Sequence, residues 1–294
     1  MLAIHLERGT VSVVDTPQPE RPERFARVRL IYGGICNTDL ELQRGYYGFA
    51  GTPGHEFVGE VVESDRPELV GKRVAGEINL SCGHCDFCLR GQGSHCANRT
   101  VLGIVKHPGA FSQEFTLPDR NLHVIPDAIS NEQAVFIEPL AAACRILEQV
   151  DIPAGAIVGL LGYGKLGRLI AQVLRANRIG VDVGGAAGQY EYVVDATGST
   201  AGLAQAVKMT RPLGTLILKS TVHGLVPVDT AGIVVNELKI VGSRCGPFKP
   251  AIQLLESGRV RVDDLISEIV PLSKAPEAFE IAARRGVLKV LLRA

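Results

Sequence analysis

Ile157-Val-Gly-Leu-Leu-Gly162-Tyr-Gly164-Lys165-Leu166-Gly167 decides how the second half of this chain folds. Its first five residues are apolar or glycine and too few for a helix, so they read as a strand buried on both faces. Residues 165–177 read as the helix that follows. A glycine triplet between an apolar strand and a helix is the context a dinucleotide-binding turn needs. Gly162 permits the tight turn, Gly164 lets a pyrophosphate approach the backbone, and Gly167 lets the helix pack on the strand. The amides from Gly164 through Lys165 and Leu166 to Gly167 then face the phosphates, at the positive end of the helix.

Downstream, the pattern alternates. Residues 192–196 read as a strand, 201–209 as a helix, 215–219 as a strand and 240–242 as another, which predicts a parallel sheet covered by helices. Ligands gather at the carboxyl ends of such strands, which makes Thr197 with Gly198, Ser220 within the run 219–221, and the run 243–246 further candidate cofactor contacts. Upstream, 132–150 reads as helical apart from Pro139. The first third differs, with short alternating strands at 26–32, 56–63, 73–77, 111–116 and 122–124 separated by turn residues.

Between the helix ending near Asn177 and the strand at 192–196 only about fourteen residues remain, 178–191. A complete nucleotide-binding half needs strand, helix and strand here, and a βαβ crossover alone takes at least ~10–12 residues. A strand and a helix are therefore missing. The preferred assignment removes the second strand with its helix, gives 179–183 to the following strand and leaves 184–189 as a loop. The alternative keeps 179–183 as the second strand, with Asp182 about 20 residues beyond the turn, where an acidic residue grips the adenine ribose.

Cys82-Gly-His-Cys85-Asp-Phe-Cys88, closed by Cys96, is the other decisive stretch. Two-residue gaps turn successive thiolates onto one ion, and the longer glycine-containing gap lets Cys96 complete a tetrahedron. Such a zinc site is closed and structural. Disulfides would require an oxidising compartment, and the remaining cysteines, Cys36, Cys144 and Cys245, leave an odd number better suited to a reducing cytoplasm. The N-terminus carries early charge and no sustained apolar core, so neither a signal peptide nor a membrane span is expected. With 31 basic and 31 acidic residues and no basic patch, nucleic acid is not an expected partner. At 294 residues and 46% hydrophobic, one large or two medium domains can form real cores.

Three scattered segments carry further metal donors: Cys36 in Gly-Gly-Ile-Cys-Asn-Thr-Asp, His55 and Glu56 in Gly-His-Glu-Phe, and Glu138 in Ile-Glu-Pro-Leu. A thiolate, an imidazole and a carboxylate leave an open position for substrate, as a catalytic zinc requires. Gly-Ile-Cys36-Asn-Thr38-Asp39, Gly54-His55-Glu56, the four-cysteine lobe, Glu138-Pro139-Leu140 and the glycine turn, in this order, resemble the zinc-containing medium-chain dehydrogenases, which include alcohol, polyol and threonine dehydrogenases. Glu138, where alcohol dehydrogenases often carry cysteine, is closer to the polyol and threonine branch.

The resemblance implies an α/β protein. A GroES-like, β-rich catalytic domain over residues 1–130, completed by 265–294, joins a truncated Rossmann-type nucleotide domain over 131–264. It implies hydride transfer between an alcohol or polyol and NAD or NADP, held weakly because of the shortened segment. Two zinc ions are implied, one structural and one catalytic at Cys36, His55 and Glu56 or Glu138. Thr38 falls at the hydroxyl relay position. A homodimer or homotetramer joined through nucleotide-domain edge strands is implied too, with 232–241 as edge-strand material. A zinc lyase or hydrolase without redox chemistry, or a catalytically silent relative, is the alternative that the truncation motivates.

Overall fold

The computed structural model describes residues 1–222 and 224–294, in two compact units: Met1–Glu138 with Arg261–Ala294, and Pro139–Val260. The division falls inside the helix Ile137–Gln149. Pro139 sits in that helix's first turn, where a missing backbone N–H costs nothing, so the expected interruption is displaced to the break after the short helix Asn131–Ala134.

The first unit is built on a seven-stranded sheet. Leu122–Val124, Arg73–Gly76, Glu56–Glu63, Phe25–Gly34, Lys289–Arg293 and Ile266–Pro271 follow one another across it, and Glu114–Pro118 also pairs with Phe25–Gly34. The C-terminal strand returns to the middle of this sheet, with Leu292 opposite Gly33. Phe57, Phe111, Phe136 and Phe279 are fully buried in the core. The expected strand at 111–116 begins only at Glu114, because Phe111 turns its carbonyl to the Ile4 amide instead. The four-cysteine lobe grows from a small sheet of Asn79–Leu80, Thr100–Leu102 and Lys106–His107.

The second unit carries five parallel strands in the order Gly180–Val183, Ile157–Leu161, Tyr190–Asp195, Thr210–Leu218 and Lys239–Gly242. Lys165–Ala176, Gly202–Met209 and Phe248–Glu256 are its longer flanking helices. Gly180–Val183 is a strand of its own lying directly against Ile157–Leu161, with Asp182 opposite Gly159. This corrects the preferred assignment of 179–183 to a later strand: the free edge of the glycine-turn strand needs hydrogen-bond partners, and only this segment reaches it. Residues 184–189 alone then lead to Tyr190–Asp195, on the other side of Ile157–Leu161. A second correction concerns 232–238. Thr230–Val235 is a short helix capped by the Asp229 carboxylate, and edge-strand material begins only at Lys239.

Candidate metal and cofactor sites

Cys36 lies two residues beyond the strand Phe25–Gly34, at the N-cap of the helix Asn37–Gln43. The Asp39 carboxylate reaches back to accept the Cys36 backbone N–H at 2.8 Å and also accepts from Gly54 N–H at 3.2 Å. These two bonds fix the thiol and the turn before His55 in one frame. Donor atoms of Cys36, His55 and Glu56 lie within 4.8 Å of one another. Thr38 Oγ1 stands 3.8 Å from Cys36 Sγ. Glu138, half-buried in the first turn of its helix, lies outside that three-residue group.

The donor set suits zinc, with one soft and two borderline-to-hard ligands and room for a fourth. His55 Nδ1 is buried without a hydrogen bond, and the nearest carboxylate oxygen, on Asp39, is 3.5 Å away. An acid beside the far nitrogen orients a ligating imidazole, leaving Nε2 for the ion. Burial opposes the charged ring, but Asp39 and then Cys36 hold its pKa well above the ordinary histidine value. Glu56 is buried too, and the Lys289 ammonium contacts its Oε2. Lys289 completes its surroundings with the Phe136 ring, 5.9 Å from its Nζ. Sequence reasoning missed Asp39 and Lys289 as parts of this site. Asp39 had a local signal, three residues after Cys36 at the capping-box position. Lys289 had none.

In the cysteine lobe, Cys82 and Cys88 Sγ are 3.9 Å apart and Cys85 and Cys88 Sγ 3.5 Å. A tetrahedron of thiolates at 2.3 Å from zinc has edges of about 3.8 Å. Cys82 N–H donates to Cys96 Sγ at 3.4 Å, bringing in the fourth donor. The backbone N–H of His84 pulls the Cys82 thiol down to about 6, so a metal-binding thiolate is available at neutral pH.

In the second unit, Gly162 adopts φ 87°, and a Cβ on Gly167 would lie 1.9 Å from the Gly162 carbonyl oxygen, so both positions demand glycine. Gly164 caps the helix that Lys165 and Leu166 open. Asp195, buried at the end of its strand, draws in both strand-end loops. Thr197 donates to it from N–H at 2.9 Å and from Oγ1 at 2.8 Å, and Ser220 Oγ does so at 3.0 Å. Buried Lys219 donates to Ala142 O, Arg244 O and Ser243 Oγ, clipping 243–244 beside them. Thr197 and Ser220 therefore stand at the carboxyl edge as expected, with hydroxyls committed to Asp195; Lys219 lies in the expected run 219–221, whereas Asp195 was not singled out from sequence.

Residues 23–127 match the alcohol dehydrogenase GroES-like domain. The D-arabitol-phosphate dehydrogenase of Enterococcus avium is 26% identical over 329 residues, covering 96% of this chain and 93% of that protein. The starvation-sensing protein RspB of Escherichia coli K12 is 29% identical over 339 residues, covering 99% of each. Among solved structures, a candidate zinc-binding dehydrogenase of Sinorhizobium meliloti 1021 bound to NADP superposes with a TM-score of 0.90 at 27% identity, covering 100% of this chain and 99% of that one. Its likeness runs through both units, and together these matches support for this chain a kinship with the zinc-type medium-chain dehydrogenases, in keeping with the order of the metal donors, the cysteine lobe and the glycine turn along it.

Proposed function

We propose that the protein is a zinc-dependent oxidoreductase that moves a hydride between an alcohol or polyol and NAD or NADP. The observation that carries this reading is the gathering of Cys36, His55 and Glu56 donor atoms within 4.8 Å, with the Thr38 hydroxyl 3.8 Å from the Cys36 sulfur. Polyol specificity is supported by relatives named sorbitol dehydrogenase and erythritol/L-threitol dehydrogenase, 25% and 28% identical. Support for a nicotinamide dinucleotide comes from the NADP-bound neighbour and from an alcohol dehydrogenase of Escherichia coli CFT073 complexed with NADH, TM-score 0.90 at 25% identity.

Zinc, when bound, would act as a Lewis acid that lowers the pKa of the substrate hydroxyl. The chain's own groups do the rest. Asp39 holds His55 and Cys36 in place through the contacts described, and Lys289 holds Glu56. Thr38 Oγ accepts the substrate proton and passes its own towards solvent. The glycine turn holds the pyrophosphate while the loops after Asp195 and Leu218 border the nicotinamide, which receives the hydride. The closed cysteine site contributes folding and no chemistry. The reading extends to a cytoplasmic setting, since every cysteine described is free. It also includes a homo-oligomer formed along the Lys239–Gly242 edge. No helix among the described residues is long and apolar enough to cross a membrane.

His55→Ala tests the reading. It should abolish NAD(P)-linked oxidation of a polyol such as sorbitol and release one zinc per chain, while NADH binding and the cysteine-site zinc remain. Wild-type polyol turnover that needs no dinucleotide would replace this reading with a redox-neutral zinc enzyme.

A further inference from the structure

Asp182 lies about 20 residues beyond the glycine turn, in the strand next to it, where an acid that hydrogen-bonds the adenine ribose is expected. Its side chain is engaged elsewhere. The Tyr190 hydroxyl donates to Asp182 Oδ2. Tyr190 belongs to the core cluster with Leu161, Val193 and Met209, so its ring cannot swing away without opening that core. The ring crosses Gly159, where a Cβ would come within 2.8 Å of it, and the hydroxyl ends beside Gly185, where a Cβ would lie 1.8 Å from the oxygen. Glycine at both positions leaves the tyrosine its path. Asp182 thus lines a cavity of about 420 Å³ whose other walls include Ala156, Ile157, Tyr192 and Arg211. Ala156 and Ile157 lie at the amino end of the glycine-turn strand, whereas the dinucleotide turn leaves its carboxyl end. The hydrogen bond to Asp182 raises the Tyr190 pKa, so the hydroxyl stays protonated and donating at neutral pH.

An acid in the ribose position favours NAD by accepting from the 2′-hydroxyl and repelling a 2′-phosphate. We propose that Tyr190 is a specificity-determining residue that holds the Asp182 carboxylate away from the adenine ribose, so that this chain binds NAD-type and NADP-type dinucleotides with near-equal affinity. The inference rests on the dinucleotide-linked function proposed above. Cofactor affinity then comes from the glycine turn and the nicotinamide-side loops, which are indifferent to the 2′ position.

Fluorescence titration of the zinc-loaded full chain with NADH and with NADPH tests this, alongside thermal melts of each variant. In the wild type the two dissociation constants should differ by less than about fivefold, and Asp182→Asn should leave both unchanged. Tyr190→Phe keeps the ring and removes the hydroxyl. It should shift the ratio towards NADH by about tenfold, or 1.4 kcal/mol, and adding Asp182→Asn should cancel that gain. Tyr190→Phe with an unaltered ratio, or a tenfold loss of NADH affinity in Asp182→Asn alone, would overturn the lock and leave the oxidoreductase reading standing. If Tyr190→Phe does not fold, the Asp182→Asn arm decides. Failure of the wild type to bind either dinucleotide would overturn the oxidoreductase reading, and the lock with it.

Discussion

Lys289 and Glu56 meet with side chains only 5% and 1% exposed, 233 positions apart in the chain. Burial opposes the ammonium charge, but the fields of Glu56 and then Cys36 outweigh it, and the Lys289 pKa is raised. Removing one partner of such a pair is far worse than removing both, because the survivor is a buried charge without compensation. Lys289→Met should therefore destabilise the metal-free protein by about 3–5 kcal/mol. Urea unfolding of Lys289→Met and of Lys289→Met/Glu56→Gln checks this: the double variant should recover part of the loss, and a neutral single variant would mean that the pair carries no such weight. The same residue shows where the sequence is silent. Cys36, His55 and Glu56 announce themselves because metal donors are rare in short glycine-rich motifs. A lysine in the strand Lys289–Arg293 has no pattern to mark it, and only the return of that strand beside Phe25–Gly34 brings it to the site.

Among elements, those defined by local chemistry were legible. The cysteine lobe is one, since four thiolates at fixed spacing specify their own geometry before any long-range contact forms. Its zinc should accordingly be a folding ligand, and Cys88→Ser should lose that zinc and destabilise the protein while metal binding at Cys36 and His55 persists. Elemental analysis with thermal melts reads both effects, and an unchanged zinc content in a folded variant would remove the site. The helix Lys165–Ala176 and the other four strands of the parallel sheet, Gly180–Val183 apart, were equally readable from apolar runs and turns. Two elements were not. Residues 230–238 are mostly apolar and β-branched, so propensity favours a strand, but the Asp229 cap and the turn of Thr230–Val235 prevail. Residues 180–183 carry too short a pattern to say which neighbour they pair with; a free sheet edge, a property of the assembled unit, settles it. The shortening itself was visible as a chain-length argument. The Enterococcus avium relative aligns over 329 positions against the 294 residues here, so at least 35 of those positions lack a counterpart.

On the scale of the whole molecule, the proposed self-association turns on the last strand of the parallel sheet. Lys239–Gly242 pairs with Thr210–Leu218 on one side only, so its other side presents backbone N–H and C=O groups without sheet partners. Ile240 on this strand is 41% exposed, and the preceding helix leaves Val234 and Val235 72% and 80% exposed. Monomeric proteins usually blunt such an edge with charge or proline, yet here a single lysine, Lys239, stands among apolar neighbours. A second copy related by a two-fold axis presents the same edge in the opposite sense, and antiparallel pairing of the two strands would satisfy the open backbone groups and cover the valines together. Light scattering at micromolar concentration should therefore give at least twice the 31.4 kDa chain mass. Ile240→Asp/Val235→Asp should shift the population towards monomer, since each carboxylate would be buried against its own symmetry mate. A wild-type monomer, or an oligomer indifferent to both charges, would place any association elsewhere on the chain.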